Sequence, residues 1–124
     1  MKYIKFISIL FLISFSFLSC SKEQDLESQM IELYNEAYAE FLNGDTIYAA
    51  KKFNEAELIF PQSEWAPIAA LMTAYVYYAD DYYPEAMGEL KRFLKVYPSH
   101  KDKNYAHYLL AMCYYENIVD EKRD

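Results

Sequence analysis

Glycine is nearly absent from this 124-residue chain, at two residues, and proline is held to four. With 54% hydrophobic residues, that scarcity argues against disorder and against a turn-rich β sandwich. The glycines make no phosphate-binding loop. Histidine is as rare: His100 and His107 stand seven apart, and His107 lies six before Cys113. Neither spacing sets metal ligands on one helix face, and no Ser-His-Asp arrangement can be built. Both histidines therefore read as solvated loop and helix-surface residues, and neither an enzyme nor a metal site is expected. Asp80-Asp81 is an acid pair, but chain neighbours do not converge on a substrate, so it reads as a loop and helix cap. Basic residues are outnumbered, 12 against 19, for a net charge of −7. Residues 1–19 contribute Lys2 and Lys5 without an acid, leaving −9 for the rest. A nucleic-acid partner, which needs clustered Lys and Arg on phosphates, is disfavoured.

What the chain has in quantity is aromatic rings, 19% of residues, with 14 Tyr. A tyrosine ring can fill a core, but its hydroxyl needs a partner or water, so many should sit at a surface or groove. The chain also has a period. Residues 69–86, Ala69-Ala70-Leu71-Met72-Thr73-Ala74-Tyr75 onward to Pro84-Glu85-Ala86, match Tyr34 to Phe41, Asn43-Gly44-Asp45 and Ala49 when moved back by 37. Moved forward by 37, they match Leu110-Ala111-Met112-Cys113-Tyr114-Tyr115. Phe60 and Tyr97, and Pro61 and Pro98, share that spacing. One supersecondary unit is used about three times, which marks a solenoid whose units bury their apolar faces only against neighbours.

In chain order, Lys2 and Lys5 precede an apolar run to Leu18, the pattern of a secretory signal peptide over residues 1–19 and too short for a stable membrane span. Residues 20–26 read as a polar tether, with a first helix starting near Leu26. Its apolar positions Met30, Leu33, Tyr34, Ala37, Tyr38 and Phe41 follow the helical period. Gly44 suits the left-handed position that ends it, and Asp45 suits the cap of the next. A second helix is expected over Ile47–Ile59, with Ala49, Phe53 and Ala56 inward, ended by Pro61. A third runs from about Glu64 to Ala79, capped by Ser63 and tolerating Pro67 in its first turn. Pro84 starts a fourth, with Ala86, Met87, Leu90, Phe93 and Leu94 inward. Ser99 and Asp102 suggest a capping box for a fifth, Lys103 to Asn117. Lys51, Lys52, Lys91, Arg92 and Lys95 read as solvated outer faces; the alternative is that Lys91, Arg92 and Lys95 meet lipid headgroups or an acidic partner.

Ala37, Gly44, Ala49, Phe53, Ala56 and Pro61, then Ala74, Tyr77, Tyr83, Ala86, Leu90 and Pro98, then Leu110, Ala111 and Tyr114 resemble tetratricopeptide repeats. Glu36, Glu40 and Phe93 depart from that pattern, Phe93 in the direction of spreading its helices. The resemblance implies an all-α, right-handed α-solenoid of helical hairpins, about two and a half repeats: 27–62, 63–99, and a first helix alone over 100–124. Phe17-Leu18-Ser19-Cys20 resembles a bacterial lipobox, with Phe17 where Leu is usual; the other reading is a plain signal peptide with an incidental Cys. The lipobox implies an N-acyl diacylglyceryl group on Cys20, no other cofactor, and stable anchoring by several acyl chains. Ser21 after the cysteine points to the outer membrane. Cys113 is then left without a disulfide partner and reads as a core thiol.

The lipobox, the repeats, Leu90-Lys91-Arg92-Phe93-Leu94-Lys95-Val96-Tyr97-Pro98-Ser99-His100, Asn104 to Ala111, and Tyr114 to Asp120 together resemble the BamD family of tetratricopeptide lipoproteins. The likeness runs from Cys20 to Asp124 and matches the amino-terminal half of that family, which implies a truncated chain. It implies a periplasm-facing outer-membrane scaffold in β-barrel assembly, with BamA and unfolded outer membrane proteins as partners. In that family the other half carries much of the docking surface for BamA. The other function class is a general repeat lipoprotein that tethers envelope factors. By register, Tyr34, Tyr38 and Phe41, then Leu71, Tyr75 and Tyr78, then Tyr105, Tyr108 and Tyr115 should line the concave groove. That strip is expected to receive an extended peptide; the plainer alternative for each ring is core packing.

Overall fold

Backbone hydrogen bonds repeat every 37 residues. The computed structural model describes the backbone of residues 2–121 and the side chains of residues 22–118; Met1 and residues 122–124, and the Cys20 side chain, lie outside it. Five helices follow in order: α1 Lys2–Asn43, α2 Thr46–Ile59, α3 Ala66–Ala79, α4 Tyr83–Val96 and α5 Lys103–Glu121. The starts of α2 and α4, the ends of α2 and α4, and the starts of α3 and α5 are each 37 apart. Each helix packs on the next in sequence, and α3 also meets α5. No strand occurs among the described residues. This is an all-α stack of tetratricopeptide-like hairpins.

The turns explain the period. At the end of α1, Asp45 N–H donates to Glu40 O and Gly44 N–H to Phe41 O, the paired bonds of a left-handed helix stop. At the end of α3, Tyr82 N–H donates to Tyr77 O and Asp81 N–H to Tyr78 O. Gly44 has φ +85° and its equivalent Asp81 φ +65°. Asp is among the few non-glycine residues that visit this region, and the Tyr83 hydroxyl donates to its carboxylate at 2.6 Å. Asp45 caps α2, accepting from Tyr48 N–H.

The opposite ends match as closely. Ser63 Oγ accepts from Trp65 N–H at 3.1 Å, so α3 begins at Ala66, two residues later than the sequence suggests. Thirty-seven residues on, His100 Nδ1 accepts from Asp102 N–H at 3.3 Å. The capping box expected from Ser99 is therefore not the device that starts α5. His100 is not solvated either: its ring meets Phe93 edge-on at 5.7 Å. Helix α1 also begins earlier than expected, for residues 22–26 are helical. That segment lacks Gly and Pro, and Gln29 donates to Asp25 one turn below it.

Alanines let the helices approach. Ala37, Ala49, Ala56, Ala69, Ala74, Ala86 and Ala106 are fully buried, with Phe53, Leu90 and Phe93 as the large fillers. Burying each large side chain contributes about 1.5–3 kcal/mol. Cys113 is a buried free thiol, and burial raises its pKa.

One buried acid breaks the apolar pattern. Glu57 of α2 is 4% exposed, and Arg92 of α4 donates to both its oxygens, at 2.9 and 2.7 Å. Tyr97 O–H donates to the same carboxylate at 2.7 Å, and Arg92 Nε to Glu89 at 2.8 Å. Arg92 is thus a clamp between the two second helices rather than a solvated outer residue. Lys52 is likewise held, between Glu36 and Glu55. Among the described residues no buried side-chain N or O lacks a partner.

Three outcomes follow from these contacts. Gly44→Ala should destabilise the fold by about 1 kcal/mol, since φ is positive while space around the new methyl is open; urea unfolding measures it. Arg92→Met should cost about 3 kcal/mol, the low end for breaking a buried pair, because Arg92 is a third exposed. Adding Glu57→Leu should recover most of that loss, and no recovery would refute the clamp. Burial, and then the bond to Glu57, push the Tyr97 phenol above its ordinary 10.0. Unfolded chains release that proton first, so this contribution is intact below pH 10 and stability falls as pH rises beyond it. Tyr97→Phe should flatten the alkaline slope of the unfolding free energy by one proton's worth; an unchanged slope would count against it.

Candidate functional site

Helices α1, α3 and α5 are the first members of their hairpins, and their aromatic residues meet on one side of the stack. Phe41 of α1 meets Tyr75 of α3 edge-on, centroids 6.0 Å apart. From Tyr75 a cleft of about 240 Å³ runs to α5, lined by Ile68, Leu71, Met72, Tyr75, Asp102 and Tyr105. Tyr105 then meets Tyr108 at 6.4 Å. Phe41, Leu71, Tyr75, Tyr105 and Tyr108 of the expected strip are therefore brought together. Leu71 forms the floor, at 9% exposure, and serves both core and cleft.

Other members of the strip stand elsewhere. Tyr34 turns toward α2 and α3, with its ring 5.0 Å from Phe53 and 5.8 Å from Trp65; it is half-buried and packs against the core. The reason is register, since Tyr34 shares the α1 face that carries Met30 and Ala37. Tyr78 packs on the α3–α4–α5 core and on Tyr83 at 5.9 Å. Tyr115 is the counterpart of Tyr78 one period on, yet stays exposed, as does Tyr38. Sequence reasoning missed Ile68, Met72 and Asp102. Ile68, Leu71, Met72 and Tyr75 are spaced i, i+3, i+4, i+7, a helical face that could have disclosed the first two. Asp102 had no such signal.

The cleft combines an apolar floor with polar groups at its edges. Burial, then the nearby Tyr75, Tyr78 and Tyr108 phenols, raise the pKa of Tyr105. Its hydroxyl stays protonated and can donate to a carbonyl, while Asp102 supplies an acceptor for N–H groups. Aromatic walls, a donor and an acceptor suit an extended peptide that carries apolar side chains. Among the described residues, no three His, Cys, Asp or Glu side chains gather as a metal site requires. Within residues 22–118 no helical stretch is long and apolar enough to cross a membrane.

Comparison with known proteins agrees with the helical stack. The family model described as YfiO, outer membrane lipoprotein, matches residues 26–124. The chain is 40% identical over 99 residues to the outer membrane protein assembly factor BamD of Caulobacter vibrioides, covering 79% of this chain and 32% of that protein. It is 32% identical over 127 aligned positions to BamD of Rickettsia prowazekii, covering 100% of this chain and 51% of that protein. BamD of Neisseria gonorrhoeae is 36% identical over 81 residues, 65% of this chain and 30% of the relative. The chain thus spans between about a third and a half of the curated relatives it matches. With four-fifths of its length under the family model, including every helix that lines the aromatic cleft, this chain belongs to the YfiO outer membrane lipoprotein family.

Proposed function

We propose that this chain is a lipid-anchored scaffold on the periplasmic face of the outer membrane that receives extended segments of outer membrane proteins during β-barrel assembly. The observation that carries the reading is the α3–α5 cleft with Tyr75 and Tyr105 on its walls. The names of the relatives, outer membrane protein assembly factors, favour barrel assembly over general tethering of envelope factors. Signal removal before Cys20 and acylation of its thiol supply the anchor, and BamA is the partner this reading implies. The role is recognition and positioning rather than catalysis.

In this reading the peptide lies across α3 and α5 with apolar side chains over Leu71 and Ile68. Its main-chain carbonyls accept from phenol hydroxyls and its N–H groups donate to Asp102. Tyr105 is 43% exposed, so removing it should leave the fold intact. Tyr105→Ala should weaken binding of an aromatic-ended peptide from an outer membrane strand by about tenfold, the scale of a central aromatic anchor. Tyr75→Ala should weaken it comparably and also destabilise the fold by about 1 kcal/mol, through the lost Phe41 contact. Fluorescence anisotropy with labelled peptide gives the affinity, and circular dichroism checks the helices. Equal affinity for wild type and Tyr105→Ala would exclude the cleft as the receptor.

A further inference from the structure

The stack has two chemically different ends. The hairpin turns between α1 and α2 and between α3 and α4 carry Glu40, Asp45, Asp80, Asp81 and Glu85. Residues 40–50 and 79–88 contain no Lys or Arg. At the other end the α4–α5 junction carries Lys95, Lys101 and Lys103, all exposed, against Asp102, while the α2–α3 loop carries Glu64 and the adjoining part of α1 carries Lys22 and Glu23. Exposed apolar residues share that end: Leu58, Trp65 and Val96. Between the two loops lies an open cleft of about 540 Å³ lined by Trp65, Pro67, Ile68, Ser99, His100 and Lys101, with Glu64 at its edge. An apolar wall of Trp, Pro and Ile therefore faces Lys101 across the cleft, with Glu64 on the same rim.

Chain direction decides what meets this end. The part of α1 just after Cys20 lies beside the α2–α3 loop, since Lys22, Glu23 and Leu26 share a cleft with Phe60, Pro61 and Gln62. The helix is continuous through position 20, so the Cys20 backbone precedes Lys22 by only about 3 Å of helical rise. An anchor on Cys20 brings the loop end to the bilayer and turns the acidic end away. Arg92 is committed to Glu57 and takes no part, whereas Lys95, Lys101 and Lys103 are available for phosphates.

We infer that the loop end, with the Trp65–Lys101 cleft at its centre, rests on the membrane surface and takes up an anionic phospholipid headgroup. Trp65 is an amphipathic ring of the kind that settles at the headgroup level. Each lysine near an anionic surface adds roughly fivefold to membrane affinity. Docking on this end holds α1 upright and keeps the aromatic cleft clear of the bilayer. The inference rests on the anchored reading above, and its test separates the two.

Trp65 is the chain's only tryptophan, which makes it a native depth probe. Acylated full-length protein is reconstituted into phosphatidylethanolamine vesicles with and without phosphatidylglycerol, and bromine-labelled lipids serve as quenchers. Anchoring is read separately, by flotation and by the mass of the acylated chain. Expected are a blue shift and quenching of Trp65 in the anionic vesicles, reduced in Lys101→Glu/Lys103→Glu while flotation persists. Acylated protein that floats with Trp65 unquenched, or quenched regardless of the two lysines, overturns the docking and leaves the anchor standing. A chain that acquires no acyl group and does not float overturns both.

Discussion

Each helix here can bury its apolar face only against helices close to it in sequence, and most of the architecture answers to that constraint. Alanine recurs at the crossings because bulk there would push neighbours apart and expose the faces they cover. Large side chains are confined to a few positions such as Phe53 and Phe93, one near the centre of each hairpin. Among the described residues no element distant in sequence closes the core, so relative rotation of adjacent hairpins is fixed locally. Between α2 and α4 that task falls to polar chemistry: a buried carboxylate gripped by a guanidinium and a phenol. Apolar contacts alone tolerate sliding, whereas a two-pronged Arg–carboxylate pair is satisfied in one geometry.

The same constraint makes the aromatic cleft. Two first helices from successive hairpins approach without a third layer between them, so the groove they leave is lined by whatever their inner faces carry. In α3 those residues serve two masters. Leu71 and Tyr75 pack on the core beneath while presenting an edge to the cleft. A cleft built this way is held where it touches the core and freer at Tyr105 and Tyr108, which stand on the less covered face of α5.

Much of this was legible in the sequence because period and punctuation are local. The 37-residue spacing, Gly44, Asp45 and the four prolines located hairpins and turns to within about two residues. What the sequence hid are pairings across the period. Glu57 and Arg92 are 35 apart, so they do not occupy equivalent positions in the two hairpins, and each alone reads as an ordinary surface charge. His100 reads as a solvated ring until Phe93 is packed against it and Asp102 N–H is aimed at its nitrogen. Tyr34 and Tyr38 differ by one helical turn, yet one packs against the core and the other stands in water. A register argument resolves faces to about a third of the helix circumference, and these two straddle its margin.

The near-identity of the two inter-hairpin loops bears on how such a chain can change length. Ser63 and His100 are unrelated side chains that accept the same amide hydrogen at the same place, followed by the same backbone bonds into α3 and α5. The loop conformation is thus separable from the residues that sustain it. A duplication or loss of one 37-residue unit, cut between these loops, would rejoin backbone of the same shape and leave every turn correctly formed. The ion pair between α2 and α4 is the element that such an exchange would put at risk, because it spans the cut and has no counterpart one period away. Length in this architecture is cheap to vary, and curvature is not.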